Sequence, residues 1–576
     1  MEDKPIINSH AHIFTSGHVP PYIAKTFVPW PLYYLLPVGG IVAIFRWWNN
    51  GPNRWQFQPW YKAWARRLYL AKEFLARNII LNLVYNLLGF FLTLQVFFIL
   101  YDWLSSLIAP DSEKTGTYIG QAAQWLTDRD LLYLDIEVIG KIGLIVLLCF
   151  FFASGRNLLL FIFRNLWKFL GSLPGKATLE LAKRYLNLGR YAFHNQQALT
   201  FQQLESQYPL GTKFVILPMD MQYMEAGNVP IPYRQQMQDL AALKQAKGEL
   251  IQPFVFADPR RFLAEPDHFV YETGPGGRIV LKDCFIKSYI EDYGFAGFKI
   301  YPALGYYPFD ETLLPLWKYA ADHGLPVLTH CIRGTIFFRG SKKKEWDTHP
   351  IFQQAKGEQE YVPLLLPQIK NIEFINNFTH PLNFLCLLDK DLLRQVVAKA
   401  SPRVREVFGY NAGTGEMAYD LSNLKICFGH FGGDDEWDRF FEADRNPYTA
   451  QLYTRPDRGI DFTHHDDGTP SPGKPEQIWK NVDWYTIICS LMLQHPNVYA
   501  DISYIVHNPV ILPLLTRTLQ PESGRLRERV LYGTDFYVVR NYKSDKNMLS
   551  DMLAGLTEEE FDLIARENPE RFLRKS

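Results

Sequence analysis

The sequence predicts an α/β protein, a (β/α)8 barrel of the TIM type with an α-helical transmembrane insertion after its first strand. Three observations lead there. Short apolar runs bounded by turn residues alternate with helix-like segments over most of the 576 residues. One stretch, from Val28 to Leu170, holds most of the long uncharged runs. Polar residues able to do chemistry stand at the ends of several apolar runs, where a barrel collects its βα loops.

The strands are predicted at Pro5 to Ile13, Lys213 to Met221, Leu250 to Ala257, Ala296 to Tyr301, Pro326 to Cys331, Leu424 to Gly429, Val498 to Ser503 and Val530 to Asp535. Eight is the number that closes a barrel. Helices are predicted at Ala177 to Gln203, Pro232 to Ala246, Leu313 to Gly324, Lys390 to Ala400 and Tyr485 to Gln494, with Glu558 to Arg566 after the last strand. The chain then divides into 1–20 (first strand and start of its loop), 21–172 (insertion) and 173–576 (the rest of the barrel).

Within the insertion, Asn78 to Tyr101 carries no charge in 24 residues, enough to cross a bilayer core of about 30 Å at about 1.5 Å per residue. A second span is expected over 136–156, where Lys141 and Arg156 flank an uncharged run and can reach the headgroups. Segments 28–48, rich in aromatic residues, and 157–170, interrupted by Arg164 and Lys168, read as interfacial. Arg46 to Asn78 has seven basic residues and one acid, Asp102 to Glu137 seven acids and two basic, and Arg156 to Arg190 seven basic and one acid. By the positive-inside rule this is a hairpin in the inner or plasma membrane with the barrel on the cytoplasmic side. Met1 to Pro20 lacks the apolar core of a cleavable signal peptide. Because the insertion leaves the chain just after His12, the barrel mouth is expected to face the bilayer and to take a lipophilic or membrane-derived substrate.

Sixty Lys plus Arg balance sixty Asp plus Glu, which argues against nucleic acid as a partner. Six cysteines without CxxC spacing make neither a disulfide framework nor a thiolate zinc site. No P-loop, dinucleotide-binding GxGxxG or GxSxG motif is found. The expected partners are a lipid bilayer and a small molecule.

His10 and His12 stand two apart, so strand alternation points both to the same side. His330 closes PVLTH, His430 closes LKICFGH and Asp535 closes VLYGTD. Imidazole nitrogens with a carboxylate oxygen are the ligands that zinc and similar divalent ions favour. Arg333 could grip a substrate carboxylate or be a solvated loop residue, and His380 could touch substrate or cap a helix. His464, His465, Asp466 and Asp467 lie in a loop rich in Pro and Gly and read as surface, as do Lys342 to Lys344.

The HxH of INSHAHIF, the lysine of GFKIYP and the terminal residues of VLTH, ICFGH and YGTD together resemble the amidohydrolase superfamily, in its amidohydrolase-related (type 2) branch. The resemblance covers the eight strands and not the insertion. It implies His10, His12, His330 and Asp535 as metal ligands, with Asp535 also moving protons and His430 as the acid or base beside the metal. It implies one divalent ion, zinc first, and a second only if Lys299 is carbamylated; otherwise Lys299 is unmodified. The activity implied is hydrolysis of a C–N or C–O bond by metal-activated water, with metal-dependent decarboxylation or hydration as the runner-up. A membrane scaffold or sensor without turnover is the alternative of a different class.

Overall fold

A computed structural model of the chain describes residues 4–25, 30–49, 58–108, 118–152, 154–159, 161, 196–334, 336–357, 360–366, 373–442, 447–465 and 467–575. It forms two compact units, Met1–Arg46 with Glu180–Ser576, and Trp47–Leu179. Residues 21–46 thus cluster with the barrel, although the sequence groups them with the insertion.

All eight predicted strands are present: β1 (Ile7–Ala11), β2 (Lys213–Ile216), β3 (Ile251–Phe256), β4 (Gly297–Ile300), β5 (Pro326–His330), β6 (Lys425–Gly429), β7 (Val498–Asp501) and β8 (Val530–Leu531). They pair in chain order, every neighbour parallel. Ser9 N–H donates to Tyr532 O at 2.8 Å and Asp535 N–H to His10 O at 2.9 Å, which draws the last strand back to the first. This is a (β/α)8 barrel. Ile7, Val215, Phe254, Leu328, Cys427, Tyr499 and Leu531 pack together with the C-terminal Phe572.

Alternation then puts Lys299, His330 and Asp501 on the same inward face, because Lys299 pairs with Phe256, two residues beyond Phe254, while His330 and Asp501 lie two residues beyond Leu328 and Tyr499. His10 is three residues from Ile7, which in an unbroken strand would put the two on opposite faces. A register shift between Asn8 and Ala11 absorbs the difference.

The predicted helices appear as Tyr233–Lys247, Leu314–Asp322, Lys390–Lys399 and Trp484–Gln494, and Glu558–Asp562 runs on into Leu563–Glu567. Of the helix predicted over 177–203, Gln197–Glu205 overlaps its end, and residues up to 195 lie outside the described residues. Two hairpins were not anticipated, Tyr271–Thr273 with Ile279–Leu281 and Thr348–Ala355 with Tyr361–Leu365.

The second unit contains helices Pro59–Arg77, Ile79–Ile108, Tyr118–Thr127 and Val138–Phe151. Ile79–Ser105 is, among the described residues, the single helix long and apolar enough to cross a membrane. Its side chains do not behave as a soluble core: Ile79, Ile80, Leu83, Leu88 and Phe90 are exposed. The expected second span differs from the prediction, because the helix covers only Val138–Phe151 and stops where Phe152 turns extended (φ −93°, ψ 145°). At about 1.5 Å per residue it is some 9 Å short of a hydrocarbon core of about 30 Å. The two helices run antiparallel: Lys141 Nζ lies 3.8 Å from Asp102 at one end, and Phe151 stacks on Tyr85 at 4.6 Å at the other. Of the expected interfacial segments, 28–29, 160 and 162–170 lie outside the described residues, and Val38–Asn49 is helical.

A buried polar network seals the seam between β8 and β1. Asn8 donates to the Tyr208 hydroxyl at 2.9 Å and to Thr534 Oγ1 at 2.8 Å, and Thr534 donates to Asp545 Oδ1 at 2.6 Å. Burial raises the Asp545 carboxyl from its ordinary 3.8 to about 6. A raised folded value favours the neutral acid, so its stabilising contribution is complete below about pH 4 and lost as pH climbs through 6. The loss is about 3 kcal/mol at roughly 1.4 kcal/mol per pH unit. Asp545→Asn cannot ionise, so its melting temperature relative to wild type is expected to be higher at pH 7.5 than at pH 4. Thermal melts at the two pH values check this.

Candidate metal centre

The C-terminal ends of β1, β4, β5, β6 and β7, with the turn after β8, bring seven polar side chains into one cluster: His10, His12, Lys299, His330, His430, Asp501 and Asp535, all buried. Two of them sit on strained backbone, since His430 (φ 67°) and Asp535 (φ 61°) occupy the left-handed region that non-glycine residues avoid. Glycines make the space. A Cβ on Gly533 would come within 2.9 Å of His10 Cβ, and one on Gly429 within 3.0 Å of the His10 ring. Gly533→Ala must therefore push β1 away from β8 at the histidine. We expect a cost of about 1–3 kcal/mol together with weaker metal binding, read from thermal melts and metal titration.

The hydrogen bonds fix which imidazole nitrogen carries the proton. His10 Nδ1–H donates to Asp501 Oδ2 at 2.9 Å, and His12 Nδ1–H to the carbonyl of Leu217 at 2.8 Å. Both Nε2 atoms are then lone pairs, and they face Asp535 Oδ1 at 3.9 and 3.3 Å. Protonation of these rings is disfavoured: burial first, then the Lys299 cation, holds His10 well below its ordinary value and His12 at about 3. His10 Nε2 has no hydrogen-bond partner. Two buried lone pairs aimed at a carboxylate oxygen repel it unless a cation or a proton donor lies among them, and two imidazole nitrogens with a carboxylate oxygen are a donor set that fits a divalent metal. His10, His12 and Asp535 each offer a ligand atom with all three within 4.8 Å of one another.

His330 and His430 flank this group. His430 Nδ1 faces Ser503 Oγ at 2.9 Å and the Ser503 carbonyl at 3.2 Å, and its Nε2 lies 3.1 Å from His330 Nδ1. With the proton of His430 on Nδ1, His330 donates through Nδ1 and turns Nε2 into its acceptor nitrogen. Its ring stacks on Tyr301 at 3.9 Å. The His330 nitrogens are not part of the tight group of three.

Lys299 is fully buried with no hydrogen bond to Nζ, and burial pulls it down to about 8 against the opposing pull of Asp501 and Asp535. Arg333 pairs with Glu436 at 2.8 Å, bonds Asn376 at 2.9 Å and lies over Trp484. His380 accepts the Leu382 N–H as a helix cap and stacks on Trp479 at 3.9 Å. Neither belongs to the cluster of histidines. His464 stands in a surface hairpin turn, Asp466 lies outside the described residues, and Lys342 pairs with Asp347.

Asp501 and Ser503 are the site residues that sequence reasoning missed. Asp501 Oδ1 accepts from the backbone N–H groups of His430 (3.1 Å) and Ser503 (3.0 Å) and from the Ser503 hydroxyl, while Oδ2 holds His10. A carboxylate inside the apolar run VYADI was the available signal.

No protein-family model and no curated protein matches the chain. Among solved structures it is similar to a 4-oxalomesaconate hydratase from Rhodopseudomonas palustris, at 12% identity and TM-score 0.29, covering 65% of this chain and 79% of that one. An amidohydrolase from Mycobacterium avium subsp. paratuberculosis overlaps at 14% identity and TM-score 0.29, covering 67% and 76% of the two chains. An amidohydrolase from Burkholderia multivorans does so at 10% identity and TM-score 0.32, covering 67% and 91%. Overlaps this loose carry no weight for the fold, which rests on the strand order and pairing.

Proposed function

We propose that the chain is a membrane-anchored, metal-dependent hydrolase that cleaves a C–N or C–O bond in a small lipophilic or membrane-derived substrate. The observation that carries the metal is the pair of proton-locked imidazoles whose Nε2 lone pairs face Asp535. His10, His12, His330 and Asp535 would hold one divalent ion, zinc first. When bound, such an ion supplies a Lewis acid that brings the pKa of water from about 15.7 towards about 7. Asp501 and the Leu217 carbonyl orient the two β1 histidines. Asp535 takes the proton of the attacking water on its carboxylate and delivers it to the leaving group. His430, neutral in its buried setting and fixed by Ser503, holds a proton on Nδ1, and its Nε2, which accepts from His330 Nδ1–H, would exchange that bond for a proton as the acid or base beside the metal. Lys299 lies beside both carboxylates and balances their charge; carbamylation would convert it into a further ligand.

The exposed apolar helix Ile79–Ser105 and the plus, minus, plus charge pattern support attachment to a membrane with the barrel on its cytoplasmic side. The lipophilic substrate is supported by the course of the chain after β1. Gly17 to Ile23 run along the loop after β2, with Tyr22 N–H donating to Ala226 O and Ile231 N–H to Gly17 O, and Ile23 O accepts from Arg339 beyond β5. The first residues of the exit segment thus lie beside the loops that follow β2 and β5, at the end of the barrel that carries the histidines.

The test is turnover by the full chain on amides, esters, lactones and carboxylated analogues, with and without chelator. We expect hydrolysis that takes oxygen from labelled water, stops on metal removal and returns with zinc. Release of carbon dioxide without that oxygen would replace hydrolysis by decarboxylation. Unchanged behaviour of His10→Ala would leave a scaffold.

A further inference from the structure

We propose that helix Pro59–Arg77 lies in the plane of the membrane and docks on anionic phospholipid headgroups beside the apolar helix that follows it. The proposal rests on the reading of the insertion as membrane-bound and adds the element and the lipid chemistry that would make the surface contact. Neither of the segments that the sequence marks as interfacial includes this helix.

Trp60, Trp64, Leu68, Ala71 and Leu75 are spaced four, four, three and four residues apart. At about 100° per residue they fall within an arc of about 80°, a single apolar stripe. Lys62, Arg66, Glu73 and Arg77 occupy the opposite side, and Arg67 sits between the stripe and the exposed Phe74 and Leu70 that flank it, where its stem can lie along apolar surface with the guanidinium in water. A soluble helix with this pattern buries its stripe. This one does not: Trp60 is 61% exposed, Trp64 55%, Leu68 50% and Leu75 41%. Among the described residues of its own unit, none covers those side chains.

Charge and continuity select the occupant. The helix carries five cations, Lys62, Arg66, Arg67, Lys72 and Arg77, against one acid, and that acid, Glu73, is turned to Arg77 at 3.5 Å and to the Tyr69 hydroxyl at 3.1 Å. Tryptophan and tyrosine beside lysine and arginine is the composition that settles at headgroup depth. Asn78 joins the helix directly to the apolar one. Its N–H closes the first helix on Phe74 O, its backbone turns extended (φ −87°, ψ 113°), and its side-chain oxygen caps the second by accepting from Leu81 N–H. The amphipathic helix thus ends at the residue where a span-length apolar helix starts, which is where a bilayer surface would be. A polybasic amphipathic helix at that point is drawn to anionic lipid.

The test uses the full chain with Cys149→Ser, since the other five cysteines are buried. Nitroxide labels are placed singly through Trp64→Cys, Arg66→Cys, Leu68→Cys and, as a control on the span, Phe90→Cys. The protein is reconstituted in phosphatidylcholine with and without phosphatidylglycerol, and accessibility to oxygen and to an aqueous nickel complex is measured. We expect positions 64 and 68 to favour oxygen and position 66 nickel when phosphatidylglycerol is present. Positions 64 and 68 should shift towards nickel without it, or when Arg67 and Lys72 are both replaced by glutamine. Nickel access at 64 and 68 in both bilayers overturns the proposal. So does access to neither reagent, which would mean a protein partner, and so does equal depth in the two lipids. A lipid signal at position 90 alongside any of these leaves the anchor standing while the docking helix falls. An aqueous signal at 90 removes both.

Discussion

Replacing His12 by alanine is expected to strip the protein of its divalent metal and to abolish turnover while leaving the barrel folded. Of the two β1 histidines among the proposed ligands, His12 has the lone pair nearer Asp535, at 3.3 Å, and its ring is oriented by a backbone carbonyl that the substitution does not disturb. The vacancy would open beside Ala11 and Ile13, in a wall already sealed by buried apolar side chains. Metal affinity should fall by more than the roughly 10–100-fold that loss of a supporting hydrogen bond costs, because here a direct ligand goes. Metal content after dialysis, with a thermal melt as the control for folding, measures it. Asp535→Ala should lose both metal and the proton acceptor, and zinc added in excess should restore activity to neither variant.

Asp501→Asn is the second large effect, and its logic lies in the tautomer. Three donors converge on Asp501 Oδ1, namely the N–H groups of His430 and Ser503 and the Ser503 hydroxyl. An asparagine must turn its oxygen to them, which leaves its amide NH2 facing His10 Nδ1. His10 can accept that bond only by moving its own proton to Nε2, the nitrogen meant for the metal. A ligand becomes a donor pointing at a cation. We expect about 10–100-fold weaker metal binding with little change in stability, measured by competition with a chelator of known affinity. Unchanged affinity would mean that Asp501 does not set the tautomer.

The barrel was legible because each strand is a short apolar run that ends in a turn, and that signal is local. His10, His12, His330, His430 and Asp535 were legible because a polar side chain at the end of such a run has few structural reasons to be there. Asp501 was hidden by the same rule, since it sits inside an apolar run and looks like its punctuation. Which nitrogen of His10 carries the proton was not legible at all, because its partner comes from 491 residues away. The register shift that turns His10 inward after Ile7 depends on pairing with β2, some two hundred residues later, and no pattern within β1 announces it. Arg333 and His380 are placed by Glu436 and Trp479 on other connections, contacts that spacing along the chain cannot reveal. In the insertion, the long uncharged run located the apolar helix, but the extended backbone at Phe152 ends the second helix early without a proline or glycine at that position to mark it.

Anomalous scattering from crystals of the purified full chain, recorded on either side of the zinc absorption edge and those of neighbouring metals, tests the metal centre most directly. One peak should lie among His10 Nε2, His12 Nε2 and Asp535 Oδ1, at about 2.0–2.2 Å from each. A pocket with no peak in protein that retains its fold, or a stoichiometric peak elsewhere in the chain, would contradict it.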